Sequence, residues 1–207
     1  CGICSRRKAE ELILEGHVKL NGVRVSELGT KVEPIEDVVE VRGTIIDIMA
    51  VDHMYVVVNK PRGYMTTASD PEGRKTIMDI VKAISTRIFP VGRLDKDTTG
   101  LLLLTNDGKL THDLLSPKKH VDKTYIAKVI GMVKKDTIET FEKGVELEDG
   151  YVCMPSEVKL LEQDEDISLV EITIKEGKFH QIKRMFTSVS MKVIELKRIS
   201  MGSLILD

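Results

Sequence analysis

Three cysteines in 207 residues, at positions 1, 4 and 153, are too few for a disulfide-built scaffold. Cys1 and Cys4 form a C-x-x-C with no second pair to complete a metal site, so all three are expected to be ordinary cytoplasmic thiols and no metal centre is expected. No apolar run comes near the ~20 residues that span a bilayer. The densest is Leu101 to Leu104, and a membrane role is not expected. Neither charge dominates: 31 Lys and Arg stand against 33 Asp and Glu, a net of −2, which excludes a binder that works by bulk positive charge. No signal sequence or internal repeat is expected, and the sequence shows neither a P-loop nor a dinucleotide-binding glycine fingerprint. It has 42% apolar and 31% charged residues, and room for a small domain followed by a larger one.

The charge is segregated. Lys118 to Lys135 carries a net of +5, Asp136 to Glu171 a net of −10, and Lys175 to Arg198 a net of +5. The acidic stretch is expected to be a solvated outer face, and the basic segments to line a surface for an anionic partner.

The first segment, residues 1–43, is expected to be a small α/β unit. Ser5 to Glu15 reads as a helix with Ala9, Leu12 and Ile13 inward and Gly16 as its stop. Asn21-Gly22 between alternating residues predicts a two-residue hairpin, with Leu20 facing Val23 and Val18 facing Val25 on a buried side. That register sets Lys19 opposite Arg24, while Arg6, Arg7 and Lys8 occupy the first helical turn, where cations oppose the helix dipole. Both features favour a bound polyanion, and a solvated charged helix end is the alternative. The chain begins at Cys1 without an initiating Met, so part of its first element is expected to be missing. Gly43 to Asp52 is expected to be a packed junction.

From residue 54 to 207 short strands and helices alternate. Strands are predicted at Tyr55–Val58, Leu101–Thr105, Thr124–Ile130, Ser156–Leu160, Ile167–Ile174, Val193–Ile199 and Ser203–Leu206. Helices are predicted at Thr76–Ile88, with Thr76 and Asp79 as a capping box, at Asp136–Lys143 with an Asp cap, and at Phe179–Ser188. Strands outnumber helices and many links are of hairpin length, so the fold class is α+β on a largely antiparallel sheet.

The most informative stretch is Pro90 to Gly108. Asp95 falls in a loop between two apolar runs, with Gly92 and Gly100 permitting tight backbone paths on either side. Spacing alone leaves it equally a turn residue or cap. Gly-Arg-Leu-Asp-x-x-Thr-x-Gly-Leu-Leu-Leu-Leu-Thr at Gly92–Thr105 resembles the catalytic motif of pseudouridine synthases that modify ribosomal RNA, the RsuA-like group. Lys60-Pro61-Arg62-Gly63 is similar to that group's early Lys-Pro-x-Gly turn. Lys123-Thr124-Tyr125 is similar to its tyrosine segment, and Glu176 to Met185 to its late basic motif. The first segment resembles an S4-type RNA-binding domain, and a short C-terminal tail beyond Asp207 is expected from the group.

The resemblance implies a pseudouridine synthase fold and the cofactor-free isomerisation of uridine in RNA. It implies Asp95 as the ionised catalytic carboxylate, Tyr125 stacking on the flipped base and Lys183 as the cation beside Asp95, with Arg184 as rival. RNA contacts are assigned to Ser5, Arg6, Arg7, Lys8, Lys19, Asn21, Arg24, Lys60, Arg62, Arg93 and Arg184. Small-subunit (16S) ribosomal RNA, or an assembly intermediate containing it, is the expected partner, with large-subunit RNA as the alternative and a monomer as the expected state. His180 and Gln181 are read as structural. Two other readings remain: a non-catalytic RNA binder, and a glycosidase that would want a second carboxylate, for which Asp97 is near in sequence.

Overall fold

A computed structural model of the protein describes residues 3–48 and 52–206. Cys1 of the C-x-x-C pair lies outside them. The chain divides into two compact units, Cys1–Met54 and Tyr55–Asp207.

In the first unit, helix α1 (Arg6–Leu14) starts where expected, because the Ser5 hydroxyl accepts from the Lys8 amide at 3.2 Å. It stops at Gly16, whose φ of +78° suits a residue without Cβ. Strands β1 (Val18–Leu20), β2 (Val23–Arg24), β3 (Val39–Val41) and β4 (Thr44–Ile46) form an antiparallel sheet in the order β2-β1-β3-β4. The predicted hairpin register holds, with Lys19 opposite Arg24 and Leu20 opposite Val23. Its predicted burial does not: Val23 is 70% exposed, because β2 is the edge strand of a small sheet. Gly43 is no boundary. With Arg42 it forms the positive-φ turn joining β3 to β4, so Thr44–Ile46 belongs to this unit.

The second unit is built on one eight-stranded sheet. Its strands are β5 (Tyr55–Lys60), β6 (Phe89–Pro90), β7 (Thr99–Thr105), β8 (Lys123–Ile130), β9 (Glu157–Asp164), β10 (Ile167–Ile174), β11 (Lys192–Met201) and β12 (Leu204–Ile205). The main path runs β5-β7-β11-β8-β10-β9, with β6 on β7 and β12 on β11. Every pairing is antiparallel except that of β7 with β11. Leu101 to Leu104 are all buried, as expected for an interior strand covered on both faces. Val91, Leu101, Leu103 and Met201 form one core cluster, and the rings of Phe141 and Phe186 meet with centroids 4.9 Å apart.

The helices are α2 (Ile77–Ile80), α3 (Gly108–Leu115), α4 (Lys135–Lys143) and α5 (Gln181–Ser188). The predicted Thr76–Ile88 helix shrinks to the single turn of α2. Asp79 accepts from the Thr76 amide at 2.6 Å as the capping box requires, but the β-branched residues that follow bury Val81 and Ile88 without helical backbone. Asn106-Asp107-Gly108 is not merely a closing turn: the Asp107 carboxylate accepts from the Leu110 amide at 2.9 Å and starts α3, which sequence reading missed. Asp136 sits inside the first turn of α4 rather than at its cap, and α5 begins two residues later than predicted because His180 takes a left-handed conformation.

At the β7–β11 crossing the backbones touch. A Cβ on Gly100, whose φ is +100°, would lie 2.1 Å from the Arg198 carbonyl oxygen. Gly100→Ala is therefore expected to lose about 3 kcal/mol from combined crowding and left-handed strain. Gly150→Ala, also at positive φ but facing open space, should lose only about 1 kcal/mol. Urea unfolding of the two variants checks the difference.

Candidate active site

Alternation along three neighbouring strands makes the floor of the site. Tyr125 on β8 faces Arg198 on β11 and Ile172 on β10, and two residues further back Lys123 faces Ile174. These side chains share one face of the sheet with Leu196. Above this floor lie the loop between β6 and β7, which carries Asp95, and the start of α5. Arg93, Asp95, Thr98, Tyr125, His180 and Lys183 line the cavity between them.

The Asp95 loop is held from below by a buried ammonium. Lys60, at the end of β5, is 0% exposed, and its Nζ lies 2.8 Å from the Thr98 carbonyl oxygen, 3.0 Å from that of Asp95, 3.2 Å from that of Pro61 and 3.3 Å from that of Lys96. Gly63 of the same turn donates its amide to the Lys96 carbonyl at 2.7 Å, and the buried Thr66 hydroxyl donates to the Leu94 carbonyl at 2.7 Å. Lys60 is thus not an RNA contact, as the sequence suggested, but the peg on which the loop hangs. Burial pushes its pKa down to about 8, against the opposing pull of Asp97 and Asp95.

Asp95 is 30% exposed at its side chain, and its Oδ2 lies 3.1 Å from Lys183 Nζ. The expected pair is present, but Lys183 is shared: it also donates to Asp97 Oδ1 at 2.7 Å. Burial works against the Lys183 charge, yet the hydrogen bonds to Asp97 and Asp95 prevail and hold the ammonium above its ordinary value. Burial likewise opposes the charge on Asp97, and the Lys183 hydrogen bond reverses the effect, leaving that carboxyl below the usual range. His180 Nε2 approaches Asp95 Oδ1 to 3.6 Å and its ring stacks on Phe179, with centroids 3.8 Å apart. Tyr125 is buried, and the buried Thr98 hydroxyl has no hydrogen-bond partner among the described residues. A substrate polar group in the cavity could satisfy it.

Arg184 turns away from Asp95 and pairs with Glu148 at 2.7 Å and Asp149 at 2.6 Å. It is neither the rival cation nor an unpaired RNA contact, and the acidic segment is not purely an outer face. Gln181 is structural as expected: its amide group donates to Glu176 and its carbonyl accepts from the Lys178 amide, both at 2.9 Å. The Glu176 carboxylate also accepts from the Tyr151 hydroxyl and the Met154 amide. Arg62 and Arg93 are exposed, and the charge of Arg62 helps to keep Asp97 ionised.

In the first unit several predicted RNA contacts are occupied within the chain. Ser5 caps α1, Arg6 pairs with Glu10, Lys8 with Glu11 and Lys19 with Glu40. Asn21 bonds Asp37 and the Val38 amide. Arg24 lies over Gly16 at the C-terminal end of α1, where the helix dipole favours a cation. Among the described residues, Arg7 alone of these cations is left with neither an acidic partner nor a helix C-terminus.

Residues 54–188 match the family of RNA pseudouridylate synthases, and residues 2–39 match the S4 domain. The chain belongs to the RNA pseudouridine synthase family, in the branch that carries an S4 domain. It is an isomerase. It is 47% identical over 199 residues to the ribosomal large subunit pseudouridine synthase B of Bacillus subtilis (strain 168), covering 95% of this chain and 80% of that one. It is 45% identical over 202 residues to an uncharacterized RNA pseudouridine synthase of Aquifex aeolicus (strain VF5), covering 97% and 80%. A solved pseudouridylate synthase superposes with a TM-score of 0.68 at 30% identity, covering 98% of this chain and 85% of that one. Human RNA pseudouridylate synthase domain containing 1 shares the fold, with a TM-score of 0.55 at 14% identity over 74% of this chain and 79% of that one.

Lys60→Met is expected to strand four buried carbonyls and to cost about 2–3 kcal/mol in urea unfolding near neutral pH. The folded pKa near 8 lies below the unfolded value of 10.5. Between those values the unfolded chain holds more protons, so wild-type stability gains with pH and the deficit of Lys60→Met should widen.

Proposed function

We propose that this enzyme converts one uridine of ribosomal RNA to pseudouridine, with Asp95 as the catalytic carboxylate, Lys183 as the cation that keeps it ionised and Tyr125 as the stacking surface for the flipped base. The observation that carries the reading is Asp95 Oδ2 at 3.1 Å from Lys183 Nζ, in a cavity that Tyr125 also lines. The reaction breaks the N1–C1′ bond, rotates the uracil and forms a C5–C1′ bond. N1 gains a proton and C5 releases one, so no net oxidation occurs. One ionised carboxylate next to the sugar and base is sufficient for this, acting as nucleophile or as base. Burial alone would raise a carboxyl's pKa, and an ammonium at 3.1 Å opposes that. The target must leave its stack at a cost of a few kcal/mol. Arg93, exposed beside the cavity, is suited to fill the vacated stack or to hold a phosphate, since a guanidinium does both.

Asp97 does not turn the site into a paired-carboxylate glycosidase. Both carboxylates bind the same ammonium instead of flanking an open gap. For the substrate we favour large-subunit ribosomal RNA over the small-subunit RNA expected from the sequence. The named relative from Bacillus subtilis carries that substrate in its name, as does a putative chloroplastic relative from Arabidopsis thaliana that is 32% identical over 214 residues. We take the enzyme to act as a cytoplasmic monomer, with the S4 unit gripping RNA through Arg7.

The chemistry is tested by tritium release from RNA labelled at C5 of uracil. Asp95→Asn should reduce release to background while filter retention of the RNA stays within about twofold, because the backbone pegs of the loop are intact. Persistent release would remove Asp95 from its role. Mapping pseudouridines in ribosomal RNA from a strain lacking the gene should show one site missing from the large subunit. A loss confined to the small subunit would overturn the substrate assignment.

A further inference from the structure

A second cavity of about 530 Å³, lined by Tyr125 but not by Asp95, opens onto the same sheet face. Its size lies within the ~300–1,000 Å³ typical of ligand sites. Arg93, Lys123, Lys175, Lys178 and Arg198 all line it. The single acid in its wall, Glu176, is already bonded by Tyr151, Met154 and Gln181.

Arg198 is the unusual member. It is 2% exposed, its Nε donates to the Leu101 carbonyl at 2.7 Å, and its Nη2 is buried with no hydrogen-bond partner among the described residues. A buried guanidinium nitrogen without an acceptor is costly unless something that binds there supplies one. Lys123 stands on the same sheet face, half-buried, and among the described residues its ammonium donates only to the Val121 carbonyl, at 2.7 Å. Burial depresses the Lys123 pKa, the nearby Arg198 charge depresses it further, and Asp122 offsets this only in part. Two like charges held together with only partial compensation favour an anion between them.

We propose that this cavity is a second nucleotide subsite, in which Arg198 and Lys123 hold the phosphodiester phosphate that joins the target uridine to its neighbour in the RNA strand. The proposal rests on reading the Asp95 cavity as the uridine site. Tyr125, Arg93, Gly177 and Lys178 line both cavities, so one strand can enter both. The base lies against the Asp95 side of Tyr125 and the adjoining nucleotide on the Arg198 side. Binding at Nη2 would fix the strand relative to β7, because the same guanidinium grips the Leu101 carbonyl. Sequence reading missed both residues: Lys123 counted only as a neighbour of Tyr125, and Arg198 only as one more charge in a basic segment.

The test is a chemical-shift titration of the full chain, labelled with nitrogen-15, by the dinucleotide UpU and by its uncharged methylphosphonate counterpart. Wild type should bind the charged dinucleotide about tenfold more tightly, the size of one charge-assisted contact. Lys123→Gln should bring the ratio below about twofold, as should Arg198→Met if it folds, whereas Lys192→Gln should leave it unchanged. A ratio near one in wild type, or an undiminished ratio in Lys123→Gln, would overturn the subsite. This readout needs no turnover, so failure of the Asp95 assignment and failure of the phosphate subsite are separable.

Discussion

A buried ammonium with four carbonyl oxygens around it is the interaction on which the site depends. Placing Lys60 at the dry end of β5 costs several kcal/mol of desolvation, and only a closely fitted cage of acceptors offsets that. The cage is the backbone of the Asp95 loop. Its geometry therefore cannot drift without exposing a charge to apolar surroundings. The same turn adds the Gly63 amide on Lys96, and Thr66 closes the loop from the other side through Leu94. Asp95 is thus fixed through its main chain, while its carboxylate faces Lys183 and His180 in the cavity.

Over that frame the charges are arranged so that no single pair is isolated. Lys183 stands between Asp95 and Asp97, and Arg62 and His180 face the same carboxylates. The second carboxylate adds to the pull that keeps the ammonium charged. Arg184, one residue on, points to the acidic loop and anchors the start of α5 through Glu148 and Asp149. Adjacent basic residues on one short helix thus divide into a site residue and a structural one.

Much of the architecture was readable from local pattern. Alternation gave β10 its full extent, the polar starts of α1 and α2 were visible at Ser5 and Thr76, and Asn21-Gly22 fixed a hairpin register to the residue. The errors share a cause. The Thr76–Ile88 stripe has helical spacing, but its β-branched residues found burial in an irregular path, and Val23 had strand spacing without a layer to cover it. Period reports which residues want burial, not what covers them. In the first unit the cations look unopposed in sequence because one partner, Glu40, is distant along the chain, and the others, Glu10 and Glu11, meet them only through helical spacing.

The sequence alone determined the reaction class: it spells out the residue types around Asp95, Tyr125 and the Lys183 segment in an order that local chemistry and family likeness both read. Only the tertiary structure decided which cations do what. Lys60 became a buried peg, Arg184 a clamp on an acidic loop, and Arg198 a guanidinium with one nitrogen unsatisfied among the described residues, although all three are plain basic residues in the chain. The physical reason is that a charge takes its meaning from its surroundings. Those are set by strand pairings between residues as far apart as Gly100 and Arg198, which no local window contains.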